Sequence, residues 1–276
     1  MKTVSANGAH IPAIGLGTWE LRGEQCEKLV DAAIRCGYTH IDTAQMYQNE
    51  REVGTGIRAS GVDRDSLFVT TKIWPENYAA SDFGRAVDER LELLDCGTLD
   101  LLLLHWPPRA VSMAEAVAGL NQAKRAGLTR HIGISNFTVA QVEEAVALSG
   151  EPLVCNQVEY HPLINQDKVR AACTRHGLAV TAYCPIARNK VADEPVMRDI
   201  AQRHDASPAQ IALAWLAGHG DVISIPRSSR PDRLVDNLKA VEISLSEDEM
   251  AEIGRLNSRN LRLVDPDGVR PTWDVA

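Results

Sequence analysis

The sequence predicts an α/β fold of the (β/α)8 TIM-barrel class, with extra helices and a C-terminal loop over the active-site face. Three observations point there. Short apolar, β-branched runs recur eight times, segments of helical period separate them, and the alternation fills 276 residues without a composition break. An open doubly wound sheet usually has fewer strands and a break between its halves, so residues 1–276 read as a single domain.

The expected strands span 13–18, 38–42, 67–72, 99–105, 131–135, 154–158, 179–183 and 222–225. After the first, Cys26, Leu29, Val30, Ala33 and Ile34 share one helical face, and after the third Val87, Leu91 and Leu94 form another. Ser112 with Glu115, Thr138 with Gln141, Ser207 with Gln210 and Ser246 with Glu249 have capping-box spacing, and Pro208 holds the favoured first helical position. Two helices, near 194–204 and 208–218, are expected between the seventh and eighth strands, with another beginning near 246. From Leu261 onward Pro266, Gly268 and Pro271 give turn chemistry, so this tail, ending near Trp273, reads as a loop packed over the barrel.

Charge narrows the partners. With 29 Lys+Arg against 37 Asp+Glu the net charge is −8, which excludes an electrostatic footprint for nucleic acid or anionic membrane. Any anionic ligand must then meet a local basic cluster. No run approaches the roughly 18 apolar residues of a membrane span, and the N-terminal residues lack a signal-peptide core, so a cytoplasmic protein is expected. The six cysteines are scattered without a C-x-x-C pair and read as reduced, mostly buried thiols. The sequon at Asn136 has no role in that compartment. No helix shows an extended exposed apolar face, so the expected state is a monomer.

In such barrels the active site gathers at the C-terminal strand ends, and here those ends are polar. The second ends in Asp42 with Tyr47 beyond, the third in Lys72 and Trp74, and the fourth in His105 and Trp106. Ser135 and Asn136, Asn156 and Gln157, Tyr183, and Arg227 with Ser228 follow on later strands. An inward Lys72 needs a counter-charge because burying an unpaired ammonium is costly, and Asp42 is the natural partner. A tyrosine beside that lysine is expected to have its pKa pulled down from about 10 toward neutral, making it a usable proton donor. His105 would then orient the bound group through a ring N–H.

Seven segments together resemble the aldo-keto reductases: Gly15 to Trp19, Ile41 to Tyr47, Thr70 to Trp74, Leu104 to Pro107, Gly133 to Phe137, Asn156 to Tyr160 and Ile225 to Ser228. They cover nearly the whole chain in the family's order. The run after Lys72 and the ending at Leu263–Asp274 are most similar to the bacterial 2,5-diketo-D-gluconate reductase B branch. The resemblance implies a catalytic tetrad of Asp42, Tyr47, Lys72 and His105. It also implies an extended NADPH (NADP+), with Ser135, Asn136 and Gln157 on the carboxamide and Tyr183 stacked on the nicotinamide. Thr18, Trp19, Asp42, Pro185, Ile186 and Arg188 are the further implied contacts near that half. Ile225, Arg227, Ser228, Ser229, Arg233, Asp236 and Asn237 would grip the adenosine half. Trp19, Tyr47, Trp74, His105 and Trp106 would line the substrate site. The implied reaction is reduction of a small carbonyl compound such as 2,5-diketo-D-gluconate or methylglyoxal.

Some positions depart from the family. Arg227 replaces a common lysine, keeping the charge for a 2′-phosphate and adding a bidentate fork, so NADPH is expected over NADH. Asp236 is one methylene shorter than the usual glutamate, and Cys184 stands where the family often has serine. Arg262, in the tail, is a candidate cation for a substrate carboxylate. Of the rival readings, a dinucleotide fingerprint at Gly15 fails because Glu20 stands at its third glycine, and no P-loop is present. A metal-dependent hydrolase could draw on His40, Asp42, His105 and His161 but would leave Tyr47 and Lys72 without a role, so no metal is expected. The non-enzymatic alternative is an NADPH-binding accessory subunit with little turnover.

Overall fold

The computed structural model describes residues 2–274. The chain opens with β1 (Thr3–Ala6) and β2 (Ala9–Pro12), followed by β3 (Leu16–Gly17), α1 (Gly23–Arg35), β4 (His40–Asp42) and α2 (Glu50–Ala59). Next come β5 (Phe68–Ile73), α3 (Ala80–Leu94), β6 (Leu99–Leu104), α4 (Met113–Arg125), β7 (Thr129–Ser135) and α5 (Val139–Leu148). The last part holds β8 (Leu153–Glu159), α6 (Asp167–Arg175), β9 (Ala179–Tyr183), α7 (Pro195–Arg203), α8 (Pro208–Gly218), β10 (Val222–Ser224), α9 (Pro231–Ala240) and α10 (Glu247–Gly254).

Strands β3 to β10 form one eight-stranded sheet in sequence order, every pair parallel. The sheet curls until its ends meet. Ile14 and Ser224 form a parallel bridge, with Gly15 N–H donating to Ser224 O at 2.8 Å and Ser224 N–H to Ala13 O at 2.9 Å. This seam explains why the first strand, expected over 13–18, is a regular ladder only at Leu16–Gly17: residues 13–15 spend their bonds on closure. Helices cover the outer face, and the core between helices and sheet includes Val30, Ile41, Val69, Leu102, Ile134 and Leu213.

The N-terminal hairpin was not expected. β1 and β2 pair antiparallel around Asn7 and Gly8, whose φ values of 43° and 86° suit a two-residue turn. Its Val4, Ala6, Ala9 and Ile11 pack on Phe68, Leu101, Leu103, Val154 and Ile223, so the hairpin fills the end of the barrel interior. Asn7 anchors it, donating from Nδ2 to Leu153 O at 2.7 Å.

Capping follows the sequence spacing, with one reassignment. Thr138, Ser207 and Ser246 each begin a helix with a reciprocal capping box. Ser112 accepts from Glu115 N–H, but the Glu115 carboxylate turns to Ala80 N–H at 3.0 Å and caps α3 instead. Helix α9 was not anticipated: of its residues only Arg233, Asp236 and Asn237 carry an expectation, as cofactor contacts. All six cysteines are unpaired. Among the described residues no helix is long and apolar enough to cross a membrane.

Candidate active site

β5 alternates its side chains, sending Thr71 outward to Glu50 of α2 at 2.5 Å and Lys72 into the barrel. Lys72 is wholly buried and must be satisfied there. Its Nζ donates to Asp42 Oδ1 at 2.6 Å, to Thr43 O at 2.7 Å and to Tyr47 Oη at 3.4 Å. The other Asp42 oxygen accepts from Gln157 Nε2 at 2.8 Å, so β4, β5 and β8 meet on one carboxylate.

Tyr47 sits on the short 3-10 turn Gln45–Tyr47 that follows β4. Buried Asn49 braces that turn: it accepts from Thr43 Oγ1 at 2.9 Å and donates to Thr18 O at 2.8 Å and Leu21 O at 3.1 Å. His105 leaves the end of β6 and lies with its ring 5.8 Å from that of Tyr47. Trp19 packs edge-on against Tyr47 at 4.9 Å and Trp74 against His105 at 5.2 Å, while Trp106 lies 6.5 Å beyond. The four tetrad candidates and four of the five expected pocket residues therefore share one cluster through direct contacts. The fifth, Trp106, joins through His105 and meets Trp273 of the tail at 6.2 Å.

The titration of Tyr47 corrects the sequence expectation. Enclosure raises its phenol above the ordinary value of 10, and Lys72 recovers only part of that, because Asp42 opposes the phenolate as well. Lys72 is itself raised: burial alone would lower it, and Asp42 and Tyr47 together outweigh burial, so the ammonium keeps its charge. Burial, with Lys72 nearby, holds His105 well below 6.5, leaving a neutral imidazole with one N–H to donate. Its Nδ1 is buried without a partner.

Tyr183 ends β9, and its hydroxyl donates to Asn136 Oδ1 at 2.7 Å. Asn136 in turn donates to His105 O at 3.0 Å, and Ser135 Oγ to Gln157 O at 2.8 Å. Among the described residues no aromatic ring packs on Tyr183. A tyrosine ring that stacks on no other aromatic and is bonded to the Asn136 amide suits a nicotinamide ring and its carboxamide. Beyond it, Pro185 is buried and Ile186 half-buried, while Cys184, Ala187, Arg188 and Asn189 all adopt left-handed φ of 49–71°. Such strain in non-glycine residues concentrates at binding loops. Arg188 is exposed and its charge acts on the Cys184 thiol, which burial pushes up to about 11.

The adenosine-side candidates lie at the end of β10 and on α9. Ile225 is buried, and exposed Arg227 pairs with Glu20 at 3.3 Å across the rim. Ser228 Oγ donates to Arg230 O at 2.8 Å, while Ser229, Arg233 and Asp236 are exposed. Asn237 is buried, its side chain hydrogen-bonded to the Tyr38 hydroxyl. Thr18 is buried, its hydroxyl donating to Asp42 O at 3.0 Å.

Several contributors were missed. Gln45 Oε1 accepts from Trp74 N–H at 2.8 Å and ties the Tyr47 turn to β5. Arg230, held by Asp232 at 2.5 Å, adds a third arginine to the segment that carries Arg227 and Arg233. Polar residues at strand ends were the available signal, and these lie one step past them. The rival metal set does not converge: His40 bonds Thr70 at 3.1 Å and His161 bonds Glu159 at 3.0 Å. Among the described residues no three His, Cys, Asp or Glu side chains are grouped to hold a metal.

The chain as a whole is similar to known proteins. The sequence profile described as the Aldo/keto reductase family matches residues 13–258. The methylglyoxal reductase DkgB of Escherichia coli O157:H7 is 42% identical over 267 residues, covering 96% of this chain and 99% of its own. The glyoxal reductase of Bacillus subtilis (strain 168) is 36% identical and covers 91% of both chains. A crystal structure provisionally assigned as a 2,5-diketo-D-gluconic acid reductase B superposes with a TM-score of 0.97 at 44% identity, covering 100% of this chain and 98% of its own.

Proposed function

The chain belongs to the aldo/keto reductase family, and on that premise we propose that it reduces a small aldehyde or ketone to the alcohol with NADPH, Tyr47 giving the proton. One observation carries this reading: the Lys72 ammonium lies between the Asp42 carboxylate, at 2.6 Å, and the Tyr47 hydroxyl, at 3.4 Å. When bound, NADPH supplies a hydride to the carbonyl carbon. Tyr47 keeps its proton until the carbonyl oxygen gains charge, then donates it through Oη, and Lys72 stabilises the phenolate left behind. Asp42 holds Lys72 in place, and neutral His105 steers the carbonyl oxygen through its N–H.

Tyr183, Asn136, Ser135 and Gln157 would hold the nicotinamide end, the loop 184–189 its pyrophosphate, and Arg227 with Arg233 the 2′-phosphate. This cation set supports NADPH over NADH, because a phosphate dianion gains most from an arginine fork. Methylglyoxal, glyoxal and 2,5-diketo-D-gluconate are the carbonyl compounds that the relatives suggest. The reading also takes residues 1–276 as one domain, with the tail 261–274 over the active-site face, acting as a cytoplasmic monomer on small molecules. Loss of reduced-nicotinamide absorbance with these substrates, NADPH and NADH in parallel and EDTA present, tests it. EDTA-resistant turnover that prefers NADPH is the expected result, and failure to bind NADPH overturns the reading.

A further inference from the structure

Leu261 and Leu263 pack the start of the tail 261–274 on the barrel core, and scattered single bonds hold other points of it. Leu261 N–H donates to Leu163 O at 2.7 Å, Val139 N–H to the exposed Asp274 carboxylate at 2.9 Å, and exposed Arg109 to Arg270 O at 2.5 Å. Packing is incomplete, since a cavity of about 270 Å³ between tail and barrel is lined by Phe137, Val158, Arg262 and Trp273 among others. Anchors on exposed side chains compete with water and contribute little.

Glu159, the last residue of β8, is different. It has 0% exposure, yet its carboxylate reaches the tail: Oε1 accepts from Leu263 N–H at 2.7 Å and Oε2 from Val264 N–H at 2.9 Å. His161 supplies a third bond at 3.0 Å. Leu163 N–H donates to His161 Nδ1 at 3.2 Å, which leaves the proton on Nε2, facing Glu159. Charge-assisted bonds inside a low-dielectric wall are the strong kind.

The held amides neighbour the residues that grip Trp273. Arg262, one residue before, lies 3.7 Å from the Trp273 ring. Asp265, one residue after, accepts from Trp273 Nε1 at 2.8 Å. Trp273 meets Trp106, and Trp106 meets His105. We propose that Glu159 is a positioning residue for carbonyl reduction: its hold on the 263–264 amides sets Arg262 and Asp265 to clamp Trp273 against Trp106 and so fixes one wall of the substrate site. The role rests on the reductase reading above.

A double-mutant cycle tests it in the full-length chain. Glu159→Gln turns an acceptor into an NH2 group facing backbone N–H, and Trp273→Ala removes the wall itself. Each is expected to raise the carbonyl KM about 10-fold with little change in kcat or NADPH binding, as loss of a contact made equally to substrate and transition state implies. The double variant should be no worse than either single one, because both act through the same contact. Glu159→Asp, which keeps the charge, should recover part of the KM and serves as the arm if Glu159→Gln does not fold. Additive KM effects, or lower stability in the Glu159 variants with KM unmoved, overturn the role while leaving the reductase reading intact. No turnover by the unaltered protein overturns both.

Discussion

Lys72 Nζ lies 2.6 Å from Asp42 Oδ1, and neither side chain reaches solvent, at 0% and 1% exposure. Two buried charges at this distance tolerate each other only as a pair. Replacing Lys72 with Met strands the Asp42 carboxylate, and equilibrium urea unfolding should show a loss of about 3–5 kcal/mol, typical of a broken buried pair. A loss below about 1 kcal/mol would mean that Asp42 does not depend on this lysine for its burial.

Burial, more than this pair, decides the pH profile. Tyr47 is raised above 10, so the proton donor stays loaded through the neutral range and is lost only at more alkaline pH. His105, held well below 6.5, stays neutral over the same range. The reduction kcat is therefore expected to be flat between about pH 6 and 9 and to fall above it, since a limb appears only where a required group titrates. A limb near pH 6.5 that disappears in His105→Gln would contradict the neutral imidazole.

Arg227 faces Glu20 at 3.3 Å on the exposed rim. An exposed pair of this kind is weak, so a phosphate can displace it. Arg227→Met should weaken NADPH binding about 10-fold or more, as loss of a charge-assisted contact implies, and leave NADH nearly unchanged. Equal losses for both cofactors in a fluorescence titration would remove Arg227 from 2′-phosphate recognition.

Gly15 lies where the barrel closes, and a Cβ there would come 2.7 Å from His40 Cγ and Nδ1. His40 is itself buried. Gly15→Ala should cost about 1–3 kcal/mol from overpacking, and much less in a His40→Ala background, where the clash is gone. Thermal unfolding of the four proteins checks this, and an undiminished cost in that background would locate the strain elsewhere.

The parts of the molecule legible in the sequence were those with local signals. Apolar runs ending in Asp42, Lys72 and His105 marked both the strands and the candidate site, because a polar side chain at the close of a buried strand needs a reason. Asn7-Gly8 carried a turn signal too, but its strands are only four residues each, too short for alternation to stand out. The direction of the Tyr47 shift depends on depth of burial, which pattern does not measure. Glu159 stood inside a quoted motif, yet its partner Leu263 lies 104 residues away, and no spacing rule links them.

The central claim is that Tyr47 donates the proton, and Tyr47→Phe tests it most directly. NADPH oxidation with methylglyoxal should fall by about 10²- to 10⁴-fold in kcat, the usual contribution of a positioned proton donor, while NADPH binding followed by fluorescence stays unchanged. Unchanged turnover in that variant would contradict the account.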